Sequence, residues 1–409
     1  MKIRKLVVTL YAAGVMTSSL AHATNGDTMM AVGTENTALG GTGVAHFVGA
    51  ESTFANPAML GKSSGQELVG GVVLFSPKVT NNGMQGTIAS SAADTSYIPD
   101  ISYSSRINEH WTYGVAMAGI AGMGVDYTGL PVSNTMNART QLSILKIVPT
   151  IAYNDANYGF GFSPVLQYGS LAMSFDARPG GLNINPGQTA VTDTRVGYTL
   201  GAYYMPMPTL TLGAAYNSKI KMNYGPQISY AAAYGFGQSY SDNLTQPAEI
   251  KAGVSYDINN NFTVTADFRQ IQWAYAQDYG NLAWRNENVT AIGVKYKNEG
   301  YWLGAGYNNS NNPIGTFANG VAANARNGQN GIGNLFNNLM FPGIIKSSYT
   351  LGGGYMLSKN YELAGSIMYA PKVTSTVDIS DAAGMMPGSL FNTTTHSQQS
   401  FSVSLRYKF

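Results

Sequence analysis

Residues 248–258 read Ala248-Glu249-Ile250-Lys251-Ala252-Gly253-Val254-Ser255-Tyr256-Asp257-Ile258, with an apolar residue at every second position. After Asn259-Asn260-Asn261 the pattern resumes. Phe262, Val264, Ala266 and Phe268 then alternate with Thr263, Thr265, Asp267 and Arg269. Successive side chains of a strand point to opposite faces, so each run has one apolar and one polar face. A soluble β-sandwich alternates in the same way, and the connections separate the two architectures.

Outward from this stretch, comparable runs lie near 67–79, 96–107, 111–122, 140–153, 158–170, 194–206, 209–221, 247–258, 262–273, 287–298, 301–308, 346–358, 361–370 and 397–409. Tight connections such as Asn108-Glu109-His110, Met207-Pro208, Asn298-Glu299-Gly300 and Ser358-Lys359-Asn360 take turns with long ones at 171–193, 222–246, 309–345 and 371–396. Short turns at one end and long loops at the other mark an outer-membrane barrel with its short turns in the periplasm. The pattern predicts an all-β fold, a transmembrane antiparallel β-barrel of about 14 strands over residues 66–409. Trp111, Tyr158, Phe262, Tyr301, Trp302 and Tyr361 cluster near the tight turns and are expected to form an interfacial girdle.

Composition agrees with a barrel. Only 11% of the 409 residues are charged, against about 25% in an ordinary soluble domain. At 44% hydrophobic the chain is no disordered polymer either. There is no cysteine, and 23 basic residues nearly balance 21 acidic ones, which argues against a nucleic-acid partner. Beyond the N-terminus no run of 18 apolar residues occurs, so a closed barrel is the remaining way to cross a bilayer.

Both ends carry export signals. Lys2, Arg4 and Lys5 precede an apolar run, Leu6 to Met16, and then Ala21-His22-Ala23. That order predicts a signal peptide over 1–23. At the other end Phe401, Val403, Leu405, Tyr407 and Phe409 occupy alternate positions and finish on the terminal Phe. Such a last strand suits recognition by the barrel assembly machinery. Residues 24–65 are glycine-rich without long alternation, and are expected to sit inside the barrel as a plug.

The stretch Ala38-Leu39-Gly40-Gly41-Thr42-Gly43-Val44-Ala45, followed by Asn56-Pro57-Ala58, resembles the plug and hatch motifs of the FadL family of outer-membrane long-chain fatty acid transporters. The resemblance continues through Gln246 to Tyr256 and in Ser348 to Tyr355. It implies a fourteen-stranded barrel with an N-terminal hatch and passive uptake of long-chain fatty acids or similar hydrophobic compounds. It also implies exit sideways through the wall near an irregular third strand. Gating then falls to Gly40, Gly41, Gly43, Asn56, Pro57 and Ala58, and the lateral kink to Gly119 and Gly122. Two plainer readings stay open. Asn56-Pro57-Ala58 also suits a rigid turn into the first strand, and the glycines of the third strand also suit relief of crowding by the plug.

A fatty acid needs an apolar path and a cation for its carboxylate. The run 140–153 supplies both, with Leu142, Ile144, Lys146 and Val148 on one parity, read as inward. Lys146 is a candidate carboxylate partner; the alternative pairs it with Glu35 or Glu51 of the plug. Gly159, Gly161 and Ser163 on the next strand would leave room for the ligand. Glu249, Lys251, Asp267 and Arg269 read as an inward charge network, Lys251 diagonal to Asp267 and Glu249 to Arg269. Such a network suits holding the plug. The apolar loop Leu335 to Pro342 offers Phe336, Leu339 and Phe341 either to an external groove that gathers substrate or to a lid.

No catalytic, metal or cofactor constellation stands out. His396 beside Ser397 is the nearest thing to a Ser/His pair. The expected partners are hydrophobic small molecules, outer-membrane lipid and lipopolysaccharide, and the assembly machinery. The expected place is the outer membrane of a Gram-negative cell. An importer of aromatic hydrocarbons and a general aqueous porin remain competing functions, with an outer-membrane enzyme or adhesin behind them.

Overall fold

The computed structural model describes residues 24–84, 86–130, 135–176, 183–184, 190–230, 241–276, 278–317 and 330–409. The signal-peptide reading at 1–23 lies outside them. Fourteen strands form the wall: β1 Gln66–Asn81, β2 Ser96–Arg106, β3 Trp111–Asp126, β4 Arg139–Asn154, β5 Tyr158–Asp176, β6 Val191–Met207, β7 Leu210–Asn217, β8 Glu249–Asp257, β9 Phe262–Ile271, β10 Glu287–Lys297, β11 Tyr301–Ser310, β12 Ser347–Met356, β13 Tyr361–Asp378 and β14 Phe391–Lys408. Each pairs antiparallel with the next. β14 pairs with β1, from Thr394 opposite Asn81 to Lys408 opposite Glu67, which closes the barrel and leaves no free edge.

The tight turns are built by short polar side chains. Asn259 Oδ1 accepts from the backbone N–H of Asn261 and Phe262, each at 2.9 Å. Asn108 does the same for His110 and Trp111 at 2.9 Å. An Asn side chain that bonds the backbone two residues on fixes the turn and hence the register.

The outward parity carries Phe160, Leu200, Ile292, Leu351, Ile367 and Phe401 to the surface, most of them about half exposed. An apolar belt of this extent is too large for a water-facing surface and suits lipid. No helix among the described residues is long and apolar enough to cross a membrane. The girdle reading needs one correction. Trp111, Tyr158, Phe262, Tyr301 and Tyr361 are exposed, but Trp302 is buried and its Nε1–H donates to Glu362 at 3.2 Å. It follows Tyr301 directly, so it must point into the lumen.

β5, β13 and β14 run further out than the alternation suggested. The outer ends of β13 and β14 carry Thr374, Thr376, Thr393 and Thr395, and a polar strand has no apolar parity to announce it.

Residues 24–65 fill the lumen. They form helix α1 (Thr34–Ala38), helix α2 (Ser52–Ala55) and a 3-10 turn at Pro57–Lys62, and most of their side chains are buried. At the long-loop end, helix α3 (Asn330–Met340) folds inward.

A lumen cavity between hatch and wall

The hatch is fixed at several points. Asn56 adopts an extended conformation at the head of the 3-10 turn, and its Oδ1 accepts from Ala58 N–H at 3.0 Å. Pro57 follows at the first position, where its missing N–H costs nothing. The Asn56 Nδ2 donates to Val44 O within the hatch at 2.7 Å and to Ala202 O of β6 at 3.0 Å. One amide therefore ties two hatch segments to the wall. The wall makes room for it: a Cβ on Gly161 or Gly201 would collide with Pro57-Ala58 or with Asn56 Oδ1. This corrects the reading of β5, since the space left by Gly161 is filled by hatch and not left for a ligand. Likewise Gly159 faces the Tyr203 ring.

Gly40 and Gly41 hold φ of 73° and 90°, a region that disfavours side chains. Gly40 turns the chain where it touches the backbone of β11 at Tyr307, and Gly41 lies against Met30 O. Gly43 lies against Ala55 and Asn36.

Charge holds the hatch as well. Lys295 pairs with Glu35, which also meets His46 Nε2 at 3.5 Å. Burial opposes ionisation of Glu35, but Lys295, His46 and Arg406 outweigh it and hold the carboxyl well below its usual range. Arg406 of β14 meets Glu51 at 3.4 Å and donates to Val48 O at 2.7 Å. Burial pushes Glu51 up to about 8 in spite of Arg406, helped by the neighbouring Glu67 and Asp100. Glu35 and Glu51 thus have barrel cations other than Lys146, and the alternative partners proposed for that lysine are taken.

The charge network at β8–β9 is present in altered form. Glu249 meets Arg269 at 3.8 Å, the diagonal expected from sequence. Lys251 turns instead to Glu249 on its own strand at 3.4 Å and to Phe54 O at 3.3 Å. Asp267 accepts from Val44 N–H at 2.9 Å, and Arg269 donates to Met29 O at 3.3 Å. Three of the four groups therefore grip hatch backbone.

Between this charged wall and the hatch lies a cavity of about 90 Å³. Met30, Val32 and Phe54 of the hatch and Ile120, Val148 and Val165 of the wall give it apolar surface. Lys146 reaches it from β4. Among the described residues Lys146 makes no hydrogen bond or ion pair, although Glu249 and Asp27 are near enough to attract it. Leu142 and Ile144 share its parity, yet they are fully packed in the apolar core and do not line the cavity.

The third strand is irregular where its glycines predicted. Gly119 stands opposite Leu145 and Ala121 opposite Ile144, so Ile120 is an extra, bulged residue. The hatch N-terminus rests there: Thr28 pairs with Ala121, and Gly122 N–H donates to Asp27 O at 2.9 Å. The Asp27 side chain accepts from Tyr279 and from Gln246 at 3.1 Å. Burial raises its carboxyl to about 6.

The segment read as an apolar loop is the end of helix α3 and the turn after it. Phe336, Leu339 and Phe341 are at most 3% exposed. No open groove is formed by these side chains. Trp284 Nε1–H donates to Asn337 Oδ1 at 3.3 Å, and Asn337 Nδ2 donates to Leu282 O. The helix is buried on both its apolar and its asparagine-bearing sides, with Asn334, Asn337 and Asn338 as buried as Phe336 and Leu339. Trp284 packs on Trp273 and Tyr279, and Tyr279 in turn donates to Asp27 of the hatch.

His396 points inward, with Nδ1 2.7 Å from Pro342 O, while Ser397 occupies the opposite parity. The two form no Ser/His pair. Among the described residues no group of three or more His, Cys, Asp or Glu could hold a metal.

A family model described as outer membrane protein transport protein (OMPP1/FadL/TodX) matches residues 12–409. The chain belongs to this family. It is thus an outer-membrane β-barrel of the FadL/TodX type, in a lineage of transport proteins. Curated protein sequences gave no match. Among solved structures it is similar to a Pseudomonas aeruginosa FadL homologue, with TM-score 0.69 at 17% identity, covering 94% of this chain and 100% of that one. It is also similar to the toluene transporter TodX of P. putida, at TM-score 0.67 and 18% identity over 93% and 99% of the two chains. The Ralstonia pickettii toluene transporter TbuX gives 0.66, 18%, 93% and 99%.

The FadL-type hatch residues Asn56, Pro57 and Ala58 were visible as a motif. Their wall partners, Gly201 and Ala202, were not. Neither were Met30, Val32 and Phe54, because nothing local marks a hatch residue as facing a cavity.

Proposed function

We propose that this barrel takes up hydrophobic compounds passively, with long-chain fatty acids as the primary substrate. The observation that carries this reading is Lys146, which has no ion pair among the described residues and stands on the apolar side of a lumen cavity whose far side is the charged β8–β9 wall. A carboxylate brought there gains a charge-assisted bond while its chain meets Val148, Val165 and the hatch. The hatch is the gate, with Asn56 as its latch. The cavity of about 90 Å³ is smaller than the ~150 Å³ of an engineered cavity that admits benzene. The substrate must therefore displace hatch residues to enter. Those residues rest on the β3 bulge at Ile120, so their displacement frees the one irregular stretch of the third strand. That coupling favours lateral exit near Gly119 and Gly122.

A second reading, aromatic hydrocarbons, is favoured by the likeness to two toluene transporters. A plain aqueous porin is disfavoured by the lumen-filling hatch. The apolar belt and the aromatic-ended β14 further support outer-membrane lipid and the assembly machinery as partners.

The test is uptake of labelled oleate and labelled toluene by cells lacking their own transporters. Wild type, Asn56→Ala and Lys146→Ala are compared. Oleate uptake that depends on both residues supports the primary reading. Toluene uptake without oleate uptake transfers it to the second.

A further inference from the structure

The outer wall has one site unlike the rest of the apolar belt. A groove of about 550 Å³ crosses β1, β14, β13 and β12, and Leu74, Leu351, Ile367, Tyr369 and Phe401 line it. Ser76 and Gln399, which stand opposite each other, line it with polar side chains. Immediately beyond it toward the long-loop end are Lys78 and Lys372, both exposed. Lys78 is the partner of Ser397 on β14. On the other side of Ser397 the register slips between Ala370 and Val373, which places Lys372 beside it. The two lysines therefore flank one strand, with backbones roughly 10 Å apart at ~4.8 Å per strand. Their flexible stems can converge on one group. Among the described residues neither has an ion pair. Arg139 and Arg195, the other described arginines at the outer ends of strands, are each neutralised by an aspartate, Asp126 and Asp193.

Their height is fixed by the barrel. Tyr361, Tyr407 and Leu68 are register partners at the short-turn end. Ten residues further along β1 and β14 lie Lys78 and Ser397. At ~3.3 Å per residue and a tilt of ~40°, ten residues climb about 25 Å, the height of the apolar band. Tyr307, Tyr349 and Tyr369 sit just below, Tyr307 and Tyr349 with rings 5.1 Å apart, as an outer aromatic girdle. The lysines therefore stand at the headgroup level of the outer leaflet. Exposed Lys346, directly before β12, adds a third cation near this end.

We propose that this groove is a binding site for one molecule of lipopolysaccharide, with acyl chains along Leu74, Ile367 and Phe401 and a phosphate of the lipid A headgroup held between Lys78 and Lys372. Charge complementarity selects the occupant: an ammonium pair over an apolar trough matches a phosphorylated, acylated lipid, and an uncharged lipid leaves both cations without a partner. The site rests on the outer-membrane placement and on the short turns being periplasmic. It is independent of the lumen.

The test uses the purified full-length barrel in detergent and native mass spectrometry. The probes are phosphorylated lipid A, lipid A stripped of phosphate, phosphatidylglycerol and inorganic phosphate. One phosphorylated lipid A per chain is expected to remain bound. Lys78→Gln with Lys372→Gln is expected to weaken it roughly thirtyfold, about fivefold per lysine. Each single variant is measured too, so a double variant that fails the heat-modifiability check leaves the test standing. Equal retention by the glutamine variants, or equal binding of the stripped lipid, overturns the proposal. So does equal binding of phosphatidylglycerol, which indicates an unselective anionic surface. Inorganic phosphate that displaces the lipid at low millimolar concentration overturns the role of the trough. A change in oligomeric state instead of lipid content assigns the face to a second copy of the chain. Oleate uptake by the double variant should match wild type. Loss of oleate uptake by the wild type itself would sink the lumen reading and leave the lipid result untouched.

Discussion

Two walls face the same lumen cavity and use their polar groups in opposite ways. On β8–β9, Lys251, Arg269 and Asp267 all reach hatch backbone, at Phe54, Met29 and Val44. On β4, Lys146 makes no hydrogen bond or ion pair among the described residues, although Glu249 and the hatch's Asp27 are near enough to attract it. Both are inward strand faces, but the β8–β9 face is largely polar while the β4 face is apolar around one lysine, and they differ further in where the hatch chain passes. The comparison teaches that a lumen charge is structural when a buried backbone group depends on it, and available for substrate when none does.

The largest expected effect comes from removing the space on which hatch docking depends. Gly201→Val puts a side chain where Asn56 Oδ1 sits. We expect the hatch to undock and single-channel conductance in planar bilayers to rise severalfold or more. A closed channel with normal hatch protection would show that the latch is not needed for docking.

Glu249→Ala comes next. It strips the buried partner from both Lys251 and Arg269. Leaving such charges unpaired costs about 3–5 kcal/mol, which should lower the thermal unfolding midpoint and loosen the hatch. Unchanged stability would mean that lumen water already screens the network.

Lys146→Ala is the mirror experiment. It breaks no ion pair, so stability should stay within about 0.5 kcal/mol of wild type. Oleate binding should weaken by about 1.5–3 kcal/mol, the worth of a hydrogen bond to a charged group. Binding of toluene, which has no carboxylate, should not move. A stability loss matching that of Glu249→Ala would erase the distinction between the two walls.

The most gradual effect probes the tether from the hatch side. Glu51 binds its proton more tightly in the folded state, with its value raised from 4.5 to about 8. Between those limits the folded state holds more protons than the unfolded one. Its contribution to stability is therefore full below pH 4.5 and is lost as pH rises through 8. Hydrogen exchange of hatch amides should quicken from pH 5.5 to 8.5 beyond the intrinsic chemical rate, and Glu51→Gln should flatten that dependence. Glu35, held low by Lys295 and His46, should not contribute over this range.

The barrel itself was legible because its signals are local. Alternation at period two gives each strand, and Asn108, Asn259 and Ser358 close the tight turns with their own side chains. Parity then placed Lys146 inward without further help. Parity was also the rule that the girdle reading neglected at Trp302. The bulge at Ile120 was announced by its flanking glycines. Helix α3 was not announced, since its apolar residues, read as a loop, needed Trp284 and the loop around Leu282 to bury them.

By itself the sequence determined the barrel, its strand count and its facing pattern, because backbone sterics and the period of the pleat act between neighbours in the chain; the hatch motif was legible only as a family resemblance. Only the tertiary structure decided what each inward residue meets. Gly161 serves Pro57-Ala58, Arg406 serves Glu51, and Lys146 serves no hatch residue. Those assignments depend on the path of a forty-residue segment across the lumen, where every deciding contact joins residues far apart in the chain and no local periodicity records it.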